Sequence, residues 1–292
     1  MERIIRQHAV DDVRKLLYVE LLAISSRLQR AVRTKHLISR DEPIGIVTTH
    51  GLNQVAQVAV RFANATCVPL DRDLLRDVGV NLVIVDAGTA PKLTAFDTVC
   101  IDDISTNDPD EEPSHQQRDS PKSPIAGTCE ARSPILFTSG STGTPKPVQL
   151  TEVGLIRLAT RTCITPLQKT DRVAALNSPG FDLSLFGMWV TLLSGATIVA
   201  IPKQISSDPG ALRSFLSFLH EESITCMIMP TALFNIVARV DPDSLAGLRH
   251  VLVAGEAANP KAMRAVLEAA QANKHGMPLR LWKAYGQTEG TV

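Results

Sequence analysis

The chain has 292 residues, 44% of them hydrophobic and 21% charged, and its 30 basic and 30 acidic side chains leave a formal net charge of zero. That length supports one large or two fused α/β units, and the composition excludes a disordered protein. The charge balance gives no electrostatic basis for nucleic acid or an anionic membrane as partner, so a small molecule or another protein is expected.

Five cysteines, Cys67, Cys100, Cys129, Cys163 and Cys226, are odd in number and widely spaced, with no CxxC pair. That argues against a zinc site or a redox dithiol and for a reducing, cytoplasmic setting. The opening segment MERIIRQHAVDDVRK alternates charges with short apolar pairs instead of building the apolar run of a signal peptide. No stretch approaches the roughly eighteen apolar residues of a membrane span, and a soluble protein is expected.

Short apolar runs alternate with helix-period segments. IGIVTT (44–49) reads as a strand, LNQVAQVAVRFANA (52–65) as a helix, TCVPL as a strand, and NLVIVD (81–86) as another strand after a short polar-faced helix. Residues 1–102 thus form a first α/β subdomain. From 103 to 133 the chain is rich in Pro, Ser and charge and almost without large apolar residues, which reads as a linker or surface loop. A second α/β subdomain, 134–292, holds strand candidates RVAAL (172–176), TIVAI (197–201), TCMIM (225–229), HVLVA (250–254) and LRLWK (279–283). Two α/β subdomains with mostly parallel sheets, packed together, are expected, with ligands at the loops that follow the strands.

Between ILFT and PVQL lies a turn rich in Gly and hydroxyls. A Walker loop needs Gly-Lys-Ser/Thr opening a helix, whereas here Pro145 and Pro147 flank Lys146 and forbid one, so strand, turn, strand is the expected form, with Thr151 capping the next helix. Gly140 and Gly143 permit left-handed backbone, the hydroxyls of Thr138, Ser139, Ser141, Thr142 and Thr144 supply donors, and Lys146 supplies a cation. Donors and a cation without a carboxylate suit a polyphosphate. A solvated hairpin turn with Lys146 in water is the competing reading.

FTSGSTGTPKPV resembles the phosphate-binding signature TSGSTGxPKG of the adenylate-forming, AMP-dependent synthetase and ligase superfamily, with Pro147 where that family normally has Gly. Three further segments follow in the family's order. FDLSLFGMWVTLLSGATIV (181–199) is similar to FDxSxxxMxxxLxxGATxV of the amino-acid adenylation domains of nonribosomal peptide synthetases and related reductases. The resemblance implies that Asp182 pairs with a substrate ammonium, that Phe181 lies beside substrate and nucleotide, and that Leu183 and Phe186 wall the pocket. A carboxylate in an apolar pocket is costly unless it meets a cation. The alternative is that Asp182 caps a helix Leu183 to Ser194 ended by Gly195.

LVAGEAANP (252–260) resembles the segment whose backbone lines adenine, which implies nucleotide contacts at Gly255, Glu256 and Ala257 and substrate contacts at Leu252 and Ala254. Asn259 also reads as the cap of a helix with Pro260 in its first position. KAYGQTEGTV (283–292) resembles the YGxTE segment, with Gln287 where peptide synthetases usually have Pro. The implied roles are Ala284 beside the substrate, Tyr285 stacked on adenine, Thr288 on the α-phosphate and Glu289 on Mg²⁺, a hard cation that prefers oxygen ligands.

The resemblance thus implies activation of a carboxylic acid, an amino acid by the likeness of the FDLS segment, by ATP and Mg²⁺ to an acyl-adenylate and pyrophosphate, with Lys146, Thr288 and Glu289 carrying the chemistry. A carrier-protein domain or coenzyme A is the implied acceptor, an acyl-CoA ligase is the alternative within the family, and a non-catalytic nucleotide or amino-acid binder is the alternative outside catalysis. The resemblance stops just past Glu289, where full-length relatives continue into a mobile C-terminal domain with a catalytic Lys, so weak or absent adenylation is expected of the 292 residues alone.

Overall fold

A computed structural model describes residues 3–8, 13–48, 52–69, 74–104, 132–138, 145–160, 166–202, 205, 211–272 and 278–290. The chain opens with an antiparallel pair, β1 (Arg3–His8) and β2 (Val13–Leu17), that charge alternation had not marked as strands. Helix α1 (Tyr18–Lys35) follows, burying Leu21, Ser25, Leu28 and Val32 at the spacing of one helical face.

The first parallel sheet is built from β3 (Pro43–Val47), β4 (Thr66–Pro69), β5 (Leu82–Val85) and β6 (Asp97–Cys100), in the order β4-β3-β5-β6, with α2 (Leu52–Phe62) between β3 and β4. The helix expected over 52–65 stops at Phe62. Asn64 turns left-handed at φ 59°, which lets the Thr66 N–H donate to the Glu42 carbonyl at 2.8 Å and start β4. The short helix before β5 is a single 3₁₀ turn, Arg76–Val78. All four residues of β4 and of β5 are buried, as expected of strands covered on both faces.

The Gly-rich segment is framed by an antiparallel hairpin of β7 (Arg132–Thr138) and β8 (Lys146–Thr151), and α3 (Glu152–Thr160) follows directly. Thr151 caps that helix as expected, its Oγ1 accepting the Gly154 N–H at 3.1 Å. Arg61, on α2, ties the hairpin down by donating to the Arg132 carbonyl at 2.7 Å and pairing with Glu152.

The remaining elements are β9 (Arg172–Ala175), α4 (Leu183–Leu185), a π turn Phe186–Val190, α5 (Thr191–Leu193), β10 (Thr197–Ala200), α6 (Leu212–Glu221), β11 (Cys226–Pro230), α7 (Thr231–Val240), α8 (Asp243–Ala246), β12 (His250–Ala254), α9 (Pro260–Ala272) and β13 (Arg280–Lys283). With β1 and β2 they form a seven-stranded sheet, β13-β12-β11-β9-β10-β1-β2, parallel throughout except for the β1–β2 pair. Strand alternation separates two cores. Val251 and Val253 of β12 pack with Met227, Met229, Phe234 and Val266, while Leu252 and Ala254 pack with Cys226, Ile228, Phe186 and Val190.

The chain divides into two compact units, Val19–Ile156 and Met1–Tyr18 with Arg157–Val292. The sequence reading had placed the divisions at 102 and 134 instead; β7 and β8 belong with the first sheet's unit, and the first eighteen residues belong with the seven-stranded sheet. Most of the expected linker, 105–131, lies outside the described residues. Tyr18 is held in the second of these units, its hydroxyl donating toward the carbonyls of Leu192 at 2.9 Å and Ala196 at 3.2 Å, and burial pushes its pKa up to about 12.

At the edge where the strands begin, a buried ionic cluster closes the seven-stranded sheet. Asp171 accepts from Thr225 Oγ1 at 2.8 Å, from the Gln168 N–H at 2.6 Å and from Arg249, through Nε at 3.0 Å and through Nη2. Burial pushes this carboxyl up, but the hydrogen bonds from Arg249, Gln168 and Thr225 prevail and hold it below the usual carboxylate range. His250, also fully buried, accepts from Trp282 Nε1 at 3.3 Å through Nδ1, and burial together with the Arg249 charge lowers its pKa to about 4.

Candidate nucleotide and substrate site

Because β9, β11, β12 and β13 run parallel as neighbours, the loops after them emerge at one edge of the sheet. Those loops carry Phe181–Leu183, Thr231, Gly255–Ala257 and Ala284–Glu289, so three of the four segments singled out in the sequence meet at the carboxyl edge.

The 181–183 loop is braced from within. Asn177 Nδ2 donates to the Ile228 carbonyl at 3.0 Å, and Ser184 Oγ bonds the carbonyls of Phe181 at 2.6 Å and Pro179 at 3.1 Å. Asp182 does not cap the helix after it. Its backbone is already helical (φ −57°, ψ −34°), since the turn begins with the Ser184 N–H on the Phe181 carbonyl, and its side chain makes no capping bond. That corrects the capping alternative. The run expected over Leu183 to Ser194 divides into α4, the π turn and α5, and Gly195 ends it with φ 74° as expected. π turns inside helices recur at functional sites.

The Asp182 carboxylate instead accepts a 2.6 Å hydrogen bond from Thr288 Oγ1. This bond joins the FDLS and YGQTE segments, 106 residues apart, through a threonine only 9% exposed. Around it the side chains divide by exposure. Phe181 and Tyr285 stand out, at 60% and 86% exposed, and Glu289 is exposed in the 3₁₀ turn Thr288–Gly290. Phe186, Leu252 and Ala254 are buried in the core on this face of the sheet, with Leu183 and Ala284 packed against it. The residues expected to wall a substrate pocket therefore share one apolar cluster beside Asp182.

The Gly255 loop is shaped by a residue that sequence reasoning passed over. Thr231, 2% exposed at the start of α7, places Oγ1 2.9 Å from the Ala254 carbonyl and 3.0 Å from that of Glu256, straddling Gly255 at φ 96°. A peptide N–H points opposite its carbonyl, so the Gly255 and Ala257 N–H groups face away from Thr231. Glu256 and Ala257 are exposed there. Asn259 behaves as expected: its Oδ1 accepts the Lys261 N–H at 2.9 Å and α9 opens on Pro260. A Thr after a strand-ending Pro was the available signal for Thr231.

Of the phosphate segment, Thr138 ends β7 half-buried and Lys146 opens β8 exposed, directly opposite each other in the hairpin register. Pro147 is exposed opposite Phe137. Ser139, Gly140, Ser141, Thr142, Gly143 and Thr144 lie outside the described residues.

Within the unit of the seven-stranded sheet, Tyr285 presents an open ring, the 255–257 backbone turns donors outward, and Glu289 supplies an oxygen donor of the kind a magnesium ion takes. In the other unit, Lys146 is exposed. Among the described residues no group of three or more His, Cys, Asp or Glu is arranged to hold a metal by itself, and no helix is long and apolar enough to cross a membrane.

Comparison with known proteins identifies the family. The model of the AMP-binding enzyme family matches residues 3–292. The chain is 35% identical to the nonribosomal peptide synthetase asaC of Aspergillus flavus over 294 residues, 97% of this chain but 27% of that protein, so it spans about a quarter of that relative's length. Its fold is similar to the Klebsiella oxytoca NpsA N-terminal subdomain in complex with anthranilyl-AMSN, with TM-score 0.77 and 19% identity, covering 99% of this chain and 71% of that one. It is likewise similar to holo-AB3403, a four-domain nonribosomal peptide synthetase bound to AMP and glycine, with TM-score 0.77 and 18% identity, covering 99% of this chain and 20% of that one. On the family match over residues 3–292, the chain belongs to the AMP-binding enzyme family.

Proposed function

We propose that this chain supplies the nucleotide and substrate residues for ATP-dependent activation of an amino acid to its acyl-adenylate. The observation that carries this reading is the bond between Asp182 and Thr288, which ties a carboxylate next in sequence to Leu183 of the apolar cluster to a threonine three residues after the exposed Tyr285. A carboxylate so placed favours a ligand with a cation, and an α-ammonium answers that need. On this reading the substrate side chain lies against the cluster that Phe186, Leu252 and Ala254 share.

In the reaction a carboxylate oxygen bonds to the α-phosphorus of ATP and pyrophosphate leaves. Lys146, with Thr138, Ser139 and Thr142, holds the phosphates; Thr288 donates to the α-phosphate; Tyr285 stacks on adenine; and the Gly255 and Ala257 N–H groups face the base. Glu289 would hold a magnesium ion, whose charge would offset that of the phosphates. The thiol sulfur of a carrier-protein domain or coenzyme A then bonds to the acyl carbon, the acyl–oxygen bond to AMP breaks, and AMP leaves with the thiol proton released to solvent, in a cytoplasmic setting. The peptide-synthetase relatives and the NpsA and AB3403 ligands support this reading.

Calorimetry of the chain with Mg·ATP, and with non-hydrolysable aminoacyl-adenylate analogues spanning the amino-acid side chains, tests it. At least one analogue is expected to bind more tightly than AMP, and its desamino counterpart to bind about tenfold or more weakly than it, as loss of a charge-assisted hydrogen bond requires. Asp182→Ala removes that difference. Equal binding of the amino and desamino compounds overturns the amino-acid assignment, and no binding of any nucleotide overturns adenylation.

A further inference from the structure

Thr288 has one hydroxyl proton, and in this structure it goes to Asp182 Oδ2. Under the reading above, which this inference rests on, the same hydroxyl must donate to the α-phosphate when nucleotide is bound. One proton cannot be given to both acceptors at full strength. Thr288 is 9% exposed, so water is poorly placed to relieve the competition.

We propose that Thr288 is a shared positioning residue that couples the two substrate sites: without amino acid its proton is committed to Asp182, and an ammonium arriving on Asp182 releases it to the phosphate. In the empty site the Thr288 bond orients Oδ2 and leaves Oδ1 to receive the ammonium. Once the ammonium neutralises Asp182, its carboxylate no longer competes for the hydroxyl. Amino acid and nucleotide therefore bind with positive coupling, and linkage makes the factor the same in both directions.

The sign of this coupling can be read without knowing the amino acid. Deleting the carboxylate mimics its neutralisation, so Asp182→Ala is expected to tighten AMP about fivefold or more while leaving adenosine, which has no phosphate, unchanged. In a Thr288→Val background, which keeps the shape and removes the proton, Asp182→Ala leaves AMP affinity as it was. Thr288→Ser restores the wild-type pattern, which a merely structural effect at this position would not do. Melting curves of all five variants, the two double ones included, confirm that folded protein is compared, and the isosteric Thr288→Val, read alone, weakens AMP but not adenosine.

Tightening of equal size in both backgrounds overturns the proposal, because plain repulsion between carboxylate and phosphate then explains it. No tightening by Asp182→Ala overturns it as well. Failure of the wild-type chain to bind either AMP or adenosine overturns the nucleotide reading itself, and the coupling with it.

Discussion

At the scale of single residues, the candidate site divides into exposed groups open to a ligand and buried groups that hold the loops. Lys146 lies exposed at the start of β8, where its ammonium is hydrated and open to the phosphates proposed for it. Lys146→Ala is therefore expected to weaken Mg·ATP about tenfold or more and AMP less, since the larger phosphate chain offers more charge to it; equal losses for both nucleotides would remove Lys146 from the polyphosphate. Glu289 makes a different prediction. Glu289→Gln keeps the shape, removes the anionic oxygen, and should lower pyrophosphate exchange about a hundredfold in a complete enzyme while leaving adenosine binding intact, measured by exchange rate and calorimetry.

At the scale of elements, the loops are stiffened by side chains that bond carbonyls across long sequence separations. Thr231 joins the first turn of α7 to the loop after β12, with Oγ1 2.9 and 3.0 Å from two carbonyls. Thr231→Val fills the same space without the donor, and the loop carbonyls lose their partner. AMP affinity should fall about tenfold, Thr231→Ser should recover it, and amino-acid preference should not move. Tyr18 does the same for the end of α5. Its hydroxyl serves Leu192 and Ala196, so Tyr18→Phe leaves both carbonyls without it and is expected to cost about 1–3 kcal/mol in urea unfolding. Both bonds join residues more than twenty positions apart, and no local pattern announces them.

At the scale of the whole molecule, the edge where the strands begin sets the response to acid. His250 is neutral and buried, with its folded pKa near 4 against an ordinary value near 6.5. The unfolded chain takes up a proton below about pH 6.5 and the folded chain does not until about pH 4. The stability this neutral histidine contributes is thus full above about pH 6.5 and is lost as pH falls toward 4, by at most about 1.4 kcal/mol per pH unit. Asp171, held below the usual carboxylate range, loses its own contribution only below about pH 4. Urea unfolding at pH 7 and pH 4.5 should show wild type losing roughly 2 kcal/mol more than His250→Asn, whose amide oxygen still accepts from Trp282; equal losses would take His250 out of the acid response.

Much of this architecture was legible in the chain itself. Period-two and unbroken apolar runs mark nine of the strands within a residue or two, because a strand covered by helices on both faces must be apolar throughout, as RVAAL, TIVAI and HVLVA are. Thr151 and Asn259 as caps, and Gly195 as a helix end, follow from backbone chemistry that acts within a few residues. The segments FTSGSTGTPK, FDLS, AGEA and YGQTE carry the family in their order. Tertiary structure alone decided the rest. Asp182 reads locally as a cap, and only the return of the chain after β13 brings Thr288 to its carboxylate. Arg249 reaches Asp171 across 78 residues, Thr231 reaches Glu256 across 25, and the first strands join a sheet whose other members begin after residue 170. Propensity and capping depend on neighbours in sequence, whereas a buried donor finds its acceptor by where the whole sheet places it.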